Sequence, residues 1–186
     1  MNNYKIVFMG TPDFGIPSLN ELYKQGYEVE AVYTQPDRVN KRGNKVQFSA
    51  VKQFALEHDI TIYQPNSLKD EKELDVLRAL NPDLIIVIAY GKILPQAVLD
   101  IPKYGVINVH ASLLPKYRGA APVQRSIIDG EETTGVTIMQ LDAGMDTGNI
   151  IAEKSVFITP HMTSEDLFDV LSNVGAKLLI DVLDDL

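Results

Sequence analysis

A five-residue apolar run, Leu84-Ile85-Ile86-Val87-Ile88, constrains the fold of this chain more than any other segment. A strand with no polar residue is buried on both faces, which is typical of parallel sheets that helices cover on either side. Along the rest of the chain, strand-like apolar segments alternate with helix-like amphipathic segments. This alternation predicts an α/β fold with a mainly parallel sheet.

The predicted elements follow one another along the whole chain. Strands are predicted at residues 4–9, 28–33, 60–63, 84–88, 105–110, 134–140 and 150–158. Helices are predicted from Thr11-Pro12 to Gly26, from Ser49 to His58, at residues 69–80, 94–100 and 121–129, and from Thr163 onward. Thr11 is expected to cap the first helix, with Pro12 at its first position. The last two strands are candidates for antiparallel pairing at one edge of the sheet.

Length and composition indicate the class of protein. A chain of 186 residues with 45% hydrophobic and 23% charged residues is expected to form one domain with a sizeable core. No apolar run is long enough to cross a membrane, and the first strand begins too early for a signal peptide. The absence of cysteine excludes disulfides and thiolate metal sites. We therefore expect a cytoplasmic enzyme. Because the last helix ends at Asp184-Asp185-Leu186 without a cap, we also expect the natural chain to be longer.

The segment at residues 34–48 is predicted to be a long polar loop, which compact domains seldom keep without a use. The net charge of −8 argues against broad nucleic-acid binding. Within residues 38–45, however, there are four basic residues and no acidic one: Arg38, Lys41, Arg42 and Lys45. Such a cluster is either a solvated charged loop or a place that attracts one polyanion.

The clearest candidates for chemistry lie at the end of a predicted strand. Asn108 and His110 are two residues apart, so they share one face of that strand, and the following loop is broken by Pro115 and Gly119. A polar pair at the exit of a buried strand is typical of α/β active sites. No second histidine lies at metal-ligand spacing, and His58 and His161 are interpreted as structural or solvated.

A carboxylate on a second loop completes the candidate site. Residues 141–148 are glycine-rich and contain Asp142 and Asp146, one of which is expected to work with His110, whereas Asp142 alone resembles a turn-former. An amide, an imidazole and a carboxylate together suit acyl transfer through a charged tetrahedral intermediate. Ser112 lacks the surroundings of a hydrolase nucleophile. The segment 10–15 has neither a dinucleotide fingerprint nor a phosphate loop.

These motifs resemble one known family. The segment from Asn108 to Pro122, with Ser112-Leu113-Leu114-Pro115-Lys116-Tyr117-Arg118-Gly119 at its centre, resembles the 10-formyltetrahydrofolate-dependent formyltransferases. Residues 10–14, 34–38 and 135–142 narrow the resemblance to the members that formylate methionine on initiator tRNA. The resemblance extends over essentially the whole chain.

The resemblance implies a Rossmann-like formyltransferase domain over residues 1–186, with a mostly parallel twisted sheet and helices on both faces. It implies transfer of a formyl group from 10-formyltetrahydrofolate to the α-amino group of methionyl initiator tRNA in translation initiation, by a monomer without a metal. Family members also carry a C-terminal β-barrel domain that helps to bind tRNA, and we expect that domain to be absent from residues 1–186.

The resemblance also assigns residues to roles. The catalytic asparagine, histidine and aspartate of the family fall on Asn108, His110 and Asp146. The residues expected near the folate are Ile88, Ala89, Tyr90, Gly91, Ser112, Leu113, Leu114, Pro115, Leu141 and Asp142. The residues expected near the tRNA are Arg38, Lys41, Arg42 and Lys45.

These roles define a mechanistic hypothesis. Asn108 and protonated His110 donate hydrogen bonds to the developing oxyanion, and Asp146 pairs with His110 and helps to move the proton that the amine loses. Two alternatives stay open. One is another folate-dependent formyltransferase or a hydrolase, acting for instance on a sugar nucleotide or a purine precursor. The other is a non-catalytic folate-binding module.

Overall fold

The computed structural model of the chain describes residues 4–39 and 45–186. In that part of the chain, the main sheet has seven strands in the order β5-β2-β1-β6-β7-β8-β9, and β3 and β4 form a separate hairpin. The strands are β1 (Lys5–Gly10), β2 (Glu28–Tyr33), β3 (Arg38–Val39), β4 (Val46–Gln47), β5 (Thr61–Tyr63), β6 (Leu84–Ile88), β7 (Val106–His110), β8 (Thr133–Gln140) and β9 (Ile150–Phe157). Along the sheet, the neighbours β5, β2, β1, β6 and β7 pair in parallel. β8 pairs antiparallel with both β7 and β9.

Helices connect the strands where the sequence predicts them. They are α1 (Ile16–Lys24), α2 (Ala50–Glu57), α3 (Glu71–Leu80), α4 (Gln96–Leu99), α5 (Pro122–Ile128) and α6 (Ser164–Asp184). Ser49 caps α2 by accepting a hydrogen bond from the Lys52 amide, and Thr163 forms a reciprocal capping box with Asp166 at α6. Each such cap contributes about 1 kcal/mol to helix stability, which explains where these two helices begin.

The sheet separates two layers of core, and β6 shows how. Leu84, Ile86 and Ile88 belong to a core cluster that includes residues of α1, α2, α5 and α6. The side chains between them, Ile85 and Val87, belong to a second cluster with residues of α3 and α4. Because successive strand residues point to opposite faces, a strand covered on both sides needs an unbroken apolar run. The predicted α/β fold with helices on both faces is confirmed.

Two details differ from the sequence-based expectation. Thr11 does not cap the first helix: a 3-10 turn at Asp13–Gly15 precedes α1, and the Thr11 hydroxyl donates instead to the Tyr90 carbonyl. The segment 34–48 is not wholly irregular, because β3 and β4 pair antiparallel within it. The first difference depends on a contact between residues 79 positions apart, whereas the second is a local hairpin. Among the described helices, none is long and apolar enough to cross a membrane.

Candidate active site

The polar residues predicted on β7 lie beside the loops that follow neighbouring strands. Ile107 and Val109 pack into the core cluster that contains α6, so Asn108 and His110 point to the opposite face of the sheet. The loop after β8, residues 141–149, crosses that face and brings Asp146 to both side chains. The carboxyl ends of parallel strands are the usual location of ligand sites in α/β proteins.

The loop after β7 fixes the orientation of the His110 ring. His110 Nε2 lies 2.8 Å from the carbonyl oxygen of Tyr117, a residue in the left-handed region with φ 55°. A carbonyl oxygen only accepts, so Nε2 carries a proton and donates it. The other ring nitrogen, Nδ1, therefore remains for Asp146 and for the cleft.

The Asp146 carboxylate lies between the other two polar side chains. Its Oδ2 accepts a hydrogen bond from the Gly119 amide at 2.7 Å and lies 3.7 Å from His110 Nδ1. Its Oδ1 accepts a long hydrogen bond of 3.5 Å from Asn108 Nδ2. The His110 and Asp146 side chains are only 8% and 13% exposed, so water screens electrostatic interactions between them weakly. Amide, imidazole and carboxylate thus meet in one partly enclosed place.

Asp142, the other acidic residue of the loop, shapes the backbone. Its Oδ1 accepts hydrogen bonds from the Gly144 amide at 2.9 Å and from the Thr147 hydroxyl at 2.8 Å. This is the local pattern by which aspartate stabilises a turn. Asp142 therefore helps to fix the loop that presents Asp146.

Two cavities meet at the polar trio. The larger, of about 550 Å³, is lined by His110, and its apolar wall includes Pro12, Phe14, Val123 and Phe168. The smaller, of about 350 Å³, lies under the 141–146 loop and is lined by Leu94, Leu99 and Leu141. Asn108 and Asp146 line both cavities. The arrangement can hold two ligands on either side of one carboxylate and one amide.

The residues that the family resemblance assigned to folate fall into two groups. Ala89, Tyr90 and Gly91 line the larger cavity, and Leu141 and Asp142 line the smaller. The remaining five are outside the lining of both cavities: Ile88, Ser112, Leu113, Leu114 and Pro115.

Two of those remaining residues, Ser112 and Leu114, support the loop that orients His110. Ile88 is buried in the core. The buried Ser112 hydroxyl donates to the Lys116 carbonyl at 2.6 Å, and the Leu114 amide donates to the Thr137 hydroxyl at 3.1 Å. Their contact with a folate stays a prediction.

The basic cluster is only partly described. Arg38 and Lys45 are exposed, and Arg38 lines a polar cavity together with Thr11, Gln35 and Phe48. Lys41 and Arg42 lie outside the described residues. The base of this loop is tied down, because the Lys52 ammonium is 2.5 Å from Asp37. Hydrogen bonds from Lys52 and Gln64 lower the pKa of the Asp37 carboxyl below its usual value.

Several groups at the site carried no sequence signal. The Tyr117 carbonyl and the Gly119 amide belong to the backbone, and Phe168 comes from α6, far away in sequence. Lys92, by contrast, directly follows the expected folate residues Ile88 to Gly91. It lines both cavities, and its ammonium donates to the carbonyls of Pro65 and Asn66, while burial lowers its pKa. Across residues 4–39 and 45–186, no group of three or more His, Asp or Glu residues is arranged to hold a metal ion.

Comparison with known proteins adds to this geometry. A family model described as formyl transferase matches residues 4–183. The methionyl-tRNA formyltransferase of Clostridium perfringens is 56% identical over 177 residues, which cover 95% of this chain and 57% of that protein. The methionyl-tRNA formyltransferase of Caldanaerobacter subterraneus is 52% identical over 180 residues, covering 96% of this chain and 58% of that protein. The chain therefore spans less than two thirds of the length of these relatives.

A solved structure shares the fold. The phosphoribosylglycinamide formyltransferase from Bacillus halodurans superposes with a TM-score of 0.79 at 24% identity, covering 96% of this chain and 93% of that one. At this level of identity, the likeness concerns the fold alone.

Proposed function

The chain belongs to the formyl transferase family, and on that premise we propose that it transfers a formyl group from 10-formyltetrahydrofolate to the α-amino group of methionine on initiator tRNA. The curated relatives named methionyl-tRNA formyltransferase support the choice of acceptor. The reaction belongs to translation initiation, so we place it in the cytoplasm. We also propose that a monomer suffices, because residues of one chain line both cavities.

The observation that carries the proposal is the position of Asn108 and Asp146 between two cavities. A group-transfer enzyme must hold donor and acceptor on opposite sides of the migrating group, and it gains most from stabilising the charge that develops there. One shared amide and one shared carboxylate at the junction meet that requirement. A simple binding module would need neither.

We assign the bicyclic ring of the folate to the smaller cavity. Its wall includes Leu94 and Leu99, which are nearly buried, and small-molecule sites are mostly apolar with a few polar groups that fix orientation. The rest of the donor would then pass the junction and follow the segment from Ala89 to Gly91 in the larger cavity. This assignment uses the residues expected near the folate that line the two cavities, namely Ala89, Tyr90, Gly91, Leu141 and Asp142.

We assign the methionyl group to the opposite wall of the larger cavity. Phe14 and Phe168 lie there as an edge-to-face pair with ring centroids 5.0 Å apart, and Val123 and Met145 also line the cavity. An unbranched thioether side chain makes favourable contacts with aromatic rings. Its α-amino group would then reach His110 and the junction.

The proposed reaction begins when the α-amino nitrogen attacks the formyl carbon. The C=O π electrons move to oxygen, and two donors stabilise that oxygen: Asn108 Nδ2, which has a second N–H beyond the one shared with Asp146, and the protonated Nδ1 of His110. The bond from the formyl carbon to N10 then breaks, and its electron pair stays on N10.

One proton must move from the amine to N10. We assign this transfer to Asp146, because its carboxylate lines both cavities, whereas His110 lines only the larger. The amine loses the proton, Asp146 carries it, and N10 receives it, so the protein returns to its starting state. A positioned proton-transfer group contributes about 10²–10⁴-fold to rate, and one oxyanion donor contributes about 10²–10³-fold.

The basic cluster is proposed to contact tRNA phosphates. Arg38, Lys41, Arg42 and Lys45 carry four positive charges on a chain whose net charge is −8. A local cluster of this kind can guide one polyanion to one place while the rest of the surface repels it. The cluster follows β2, whose end lies next to that of β1 in the sheet.

Single-turnover formyl transfer from 10-formyltetrahydrofolate to charged initiator tRNA tests the proposal, with elongator methionyl-tRNA as the control acceptor. We expect transfer to the initiator and a fall of at least 10²-fold in both His110→Ala and Asp146→Asn. Asp75→Asn, the same change on the exposed face of α3, is the matched control and should keep the native rate. Near-native rates in His110→Ala or Asp146→Asn would remove that residue from the scheme.

The same assay separates the alternatives. Formyl-folate consumption without an added amine acceptor would favour a hydrolase. Transfer to a sugar-nucleotide or purine-precursor amine, with no transfer to methionyl-tRNA, would favour another formyltransferase. Folate binding with no turnover under any condition would leave only a binding module.

A further inference from the structure

The ends of three neighbouring strands are joined through one carbonyl oxygen. The Tyr90 carbonyl, just after β6, accepts hydrogen bonds from the Thr11 hydroxyl at 2.9 Å and from Gln35 Nε2 at 3.2 Å. Thr11 follows β1, and Gln35 follows β2. The backbone amide of Gln35 donates to the Thr11 hydroxyl at 3.3 Å, so each of the three residues is hydrogen-bonded to the other two.

The segment that accepts these hydrogen bonds, residues 89–91, has a backbone conformation that is unfavourable without support from neighbouring groups. Ala89 has φ 49° and Gly91 has φ 82°, both in the left-handed region that ordinary residues rarely adopt. The Tyr90 ring is buried, but its hydroxyl has no hydrogen-bond partner among the described residues. A Cβ at Gly91 would lie 3.2 Å from Gln35 Nε2. Neighbouring groups, Thr11 and Gln35 above all, therefore keep this backbone in place.

The donor of one of these bonds is itself anchored to the base of the basic loop. The Gln35 carbonyl accepts from Gln64 Nε2 at 3.0 Å, and the same Gln64 nitrogen lies 2.8 Å from Asp37 Oδ1. Lys52 donates to Gln64 Oε1 at 3.0 Å and pairs with Asp37. Continuous polar contacts thus lead from the base of the 38–45 segment to the backbone at Tyr90.

We propose that Thr11 and Gln35 are positioning residues that hold the 89–91 backbone against the formyl donor. Through Gln35, they also connect this backbone to the base of the basic loop, which is proposed to contact tRNA. This inference rests on the proposed function only for the identity of the two ligands. Neither side chain takes part in bond making. Each acts through the Tyr90 carbonyl.

Thr11→Val removes the hydroxyl and keeps the side-chain volume, whereas Thr11→Ser keeps the hydroxyl. We expect Thr11→Val to weaken binding of tetrahydrofolate by about five- to ten-fold, and Thr11→Ser to restore it to within two-fold of the native value. Thr34→Val is the matched control, because the Thr34 hydroxyl forms its hydrogen bond with Ser49 at 2.6 Å rather than with the Tyr90 carbonyl. Binding is measured by titration of the whole chain with tetrahydrofolate.

A double-mutant cycle with Gln35→Glu tests whether the two residues act through one carbonyl. Gln35→Glu replaces the N–H donor by an acceptor of the same shape, so its effect and that of Thr11→Val should combine to less than the product of the two factors. Multiplicative effects, equal loss in Thr11→Ser and Thr11→Val, or an equal loss in Thr34→Val would each overturn the proposal.

The kinetic experiment distinguishes this proposal from the proposed function. If the native chain transfers formyl, Thr11→Val should raise KM for 10-formyltetrahydrofolate more than it lowers kcat, because the catalytic trio is untouched. If the native chain transfers no formyl but binds tetrahydrofolate, the proposed function fails, and the binding series alone decides the role of Thr11. If the native chain binds tetrahydrofolate and Thr11→Val binds it with the same affinity, the positioning role is contradicted in either case.

Discussion

Thr137 provides a sharp test of how the loop after β7 is held. Its side chain is fully buried on β8, where its hydroxyl accepts a hydrogen bond from the Leu114 amide at 3.1 Å and donates to the Ser112 carbonyl at 2.7 Å. The hydroxyl also lies 3.0 Å from Oε1 of Glu153, an exposed residue that can bind water instead. Thr137 is also the direct cross-strand partner of His110. The change Thr137→Val removes this hydroxyl and keeps the shape of the side chain.

The expected cost follows from the two groups that lose a partner. A buried donor or acceptor left without a hydrogen bond costs about 1–3 kcal/mol, so losing the contacts of the Leu114 amide and the Ser112 carbonyl should lower the free energy of unfolding by roughly 2–6 kcal/mol. That is a large part of the roughly 5–15 kcal/mol of a typical domain. Thr137→Ser keeps the hydroxyl and removes one methyl group, which should cost only about 1 kcal/mol.

Urea unfolding of both variants checks this difference, with the single-turnover rate as a second readout. Thr137→Val should also slow formyl transfer, because the same loop carries the Tyr117 carbonyl that orients His110. If Thr137→Val is as stable as Thr137→Ser to within about 0.5 kcal/mol, the usual range for substitutions that disturb no specific contact, the loop is not held by this hydroxyl, and the reasoning is refuted.

Three further predictions concern other parts of the molecule. The hydrogen bond from Lys52 lowers the pKa of Asp37 in the folded protein. The ionised Asp37 carboxylate therefore stabilises the fold above its unfolded pKa of about 4, and this stabilisation is lost as the pH falls through the folded pKa. Asp37→Asn should accordingly make stability depend less steeply on pH below about pH 4 in acid unfolding experiments. Gly135→Ala should destabilise the protein by about 1–3 kcal/mol or more in thermal unfolding, because a Cβ there would lie 2.2 Å from the Lys154 carbonyl oxygen. Arg42→Gln should weaken tRNA binding and reduce the slope of log K against log salt by about one, and an unchanged slope would mean that the loop is only solvated.

Much of the fold could be predicted from residue periodicity. The apolar run of β6 required a sheet covered on both faces, and the spacing of Asn108 and His110 put both on one face of β7. The caps at Ser49 and Thr163 marked two helix starts, because short polar side chains satisfy the free amides of a first turn. These features depend on neighbours within a few residues, so the local sequence contains them.

The details of the site could not be predicted in the same way. Thr11 looked like a helix cap because its local sequence suits one, yet its hydroxyl bonds to Tyr90, 79 residues away. Ser112 to Pro115 belong to the motif that carried the family resemblance. The hydrogen bonds of Ser112 and Leu114 support the loop after β7, and none of these four residues lines either cavity. A sequence motif identifies residues that a family shares, but the three-dimensional contacts are needed to show which backbone or side-chain group each residue supports.

The orientation of His110 separates two roles that a single aspartate often combines. In the serine-protease arrangement, a carboxylate on one ring nitrogen both orients the imidazole and stabilises its charge, while the other nitrogen reacts. Here the Tyr117 carbonyl bonds to Nε2 and orients the ring, so Asp146 is not needed for that purpose. Asp146 instead lies 3.7 Å from Nδ1, on the side where both cavities meet, and the Gly119 amide holds it there. Removing the carboxylate should therefore change the charge and the proton transfer while the ring keeps its place, whereas disturbing the 112–119 loop should tilt the ring and leave the carboxylate without its Gly119 partner.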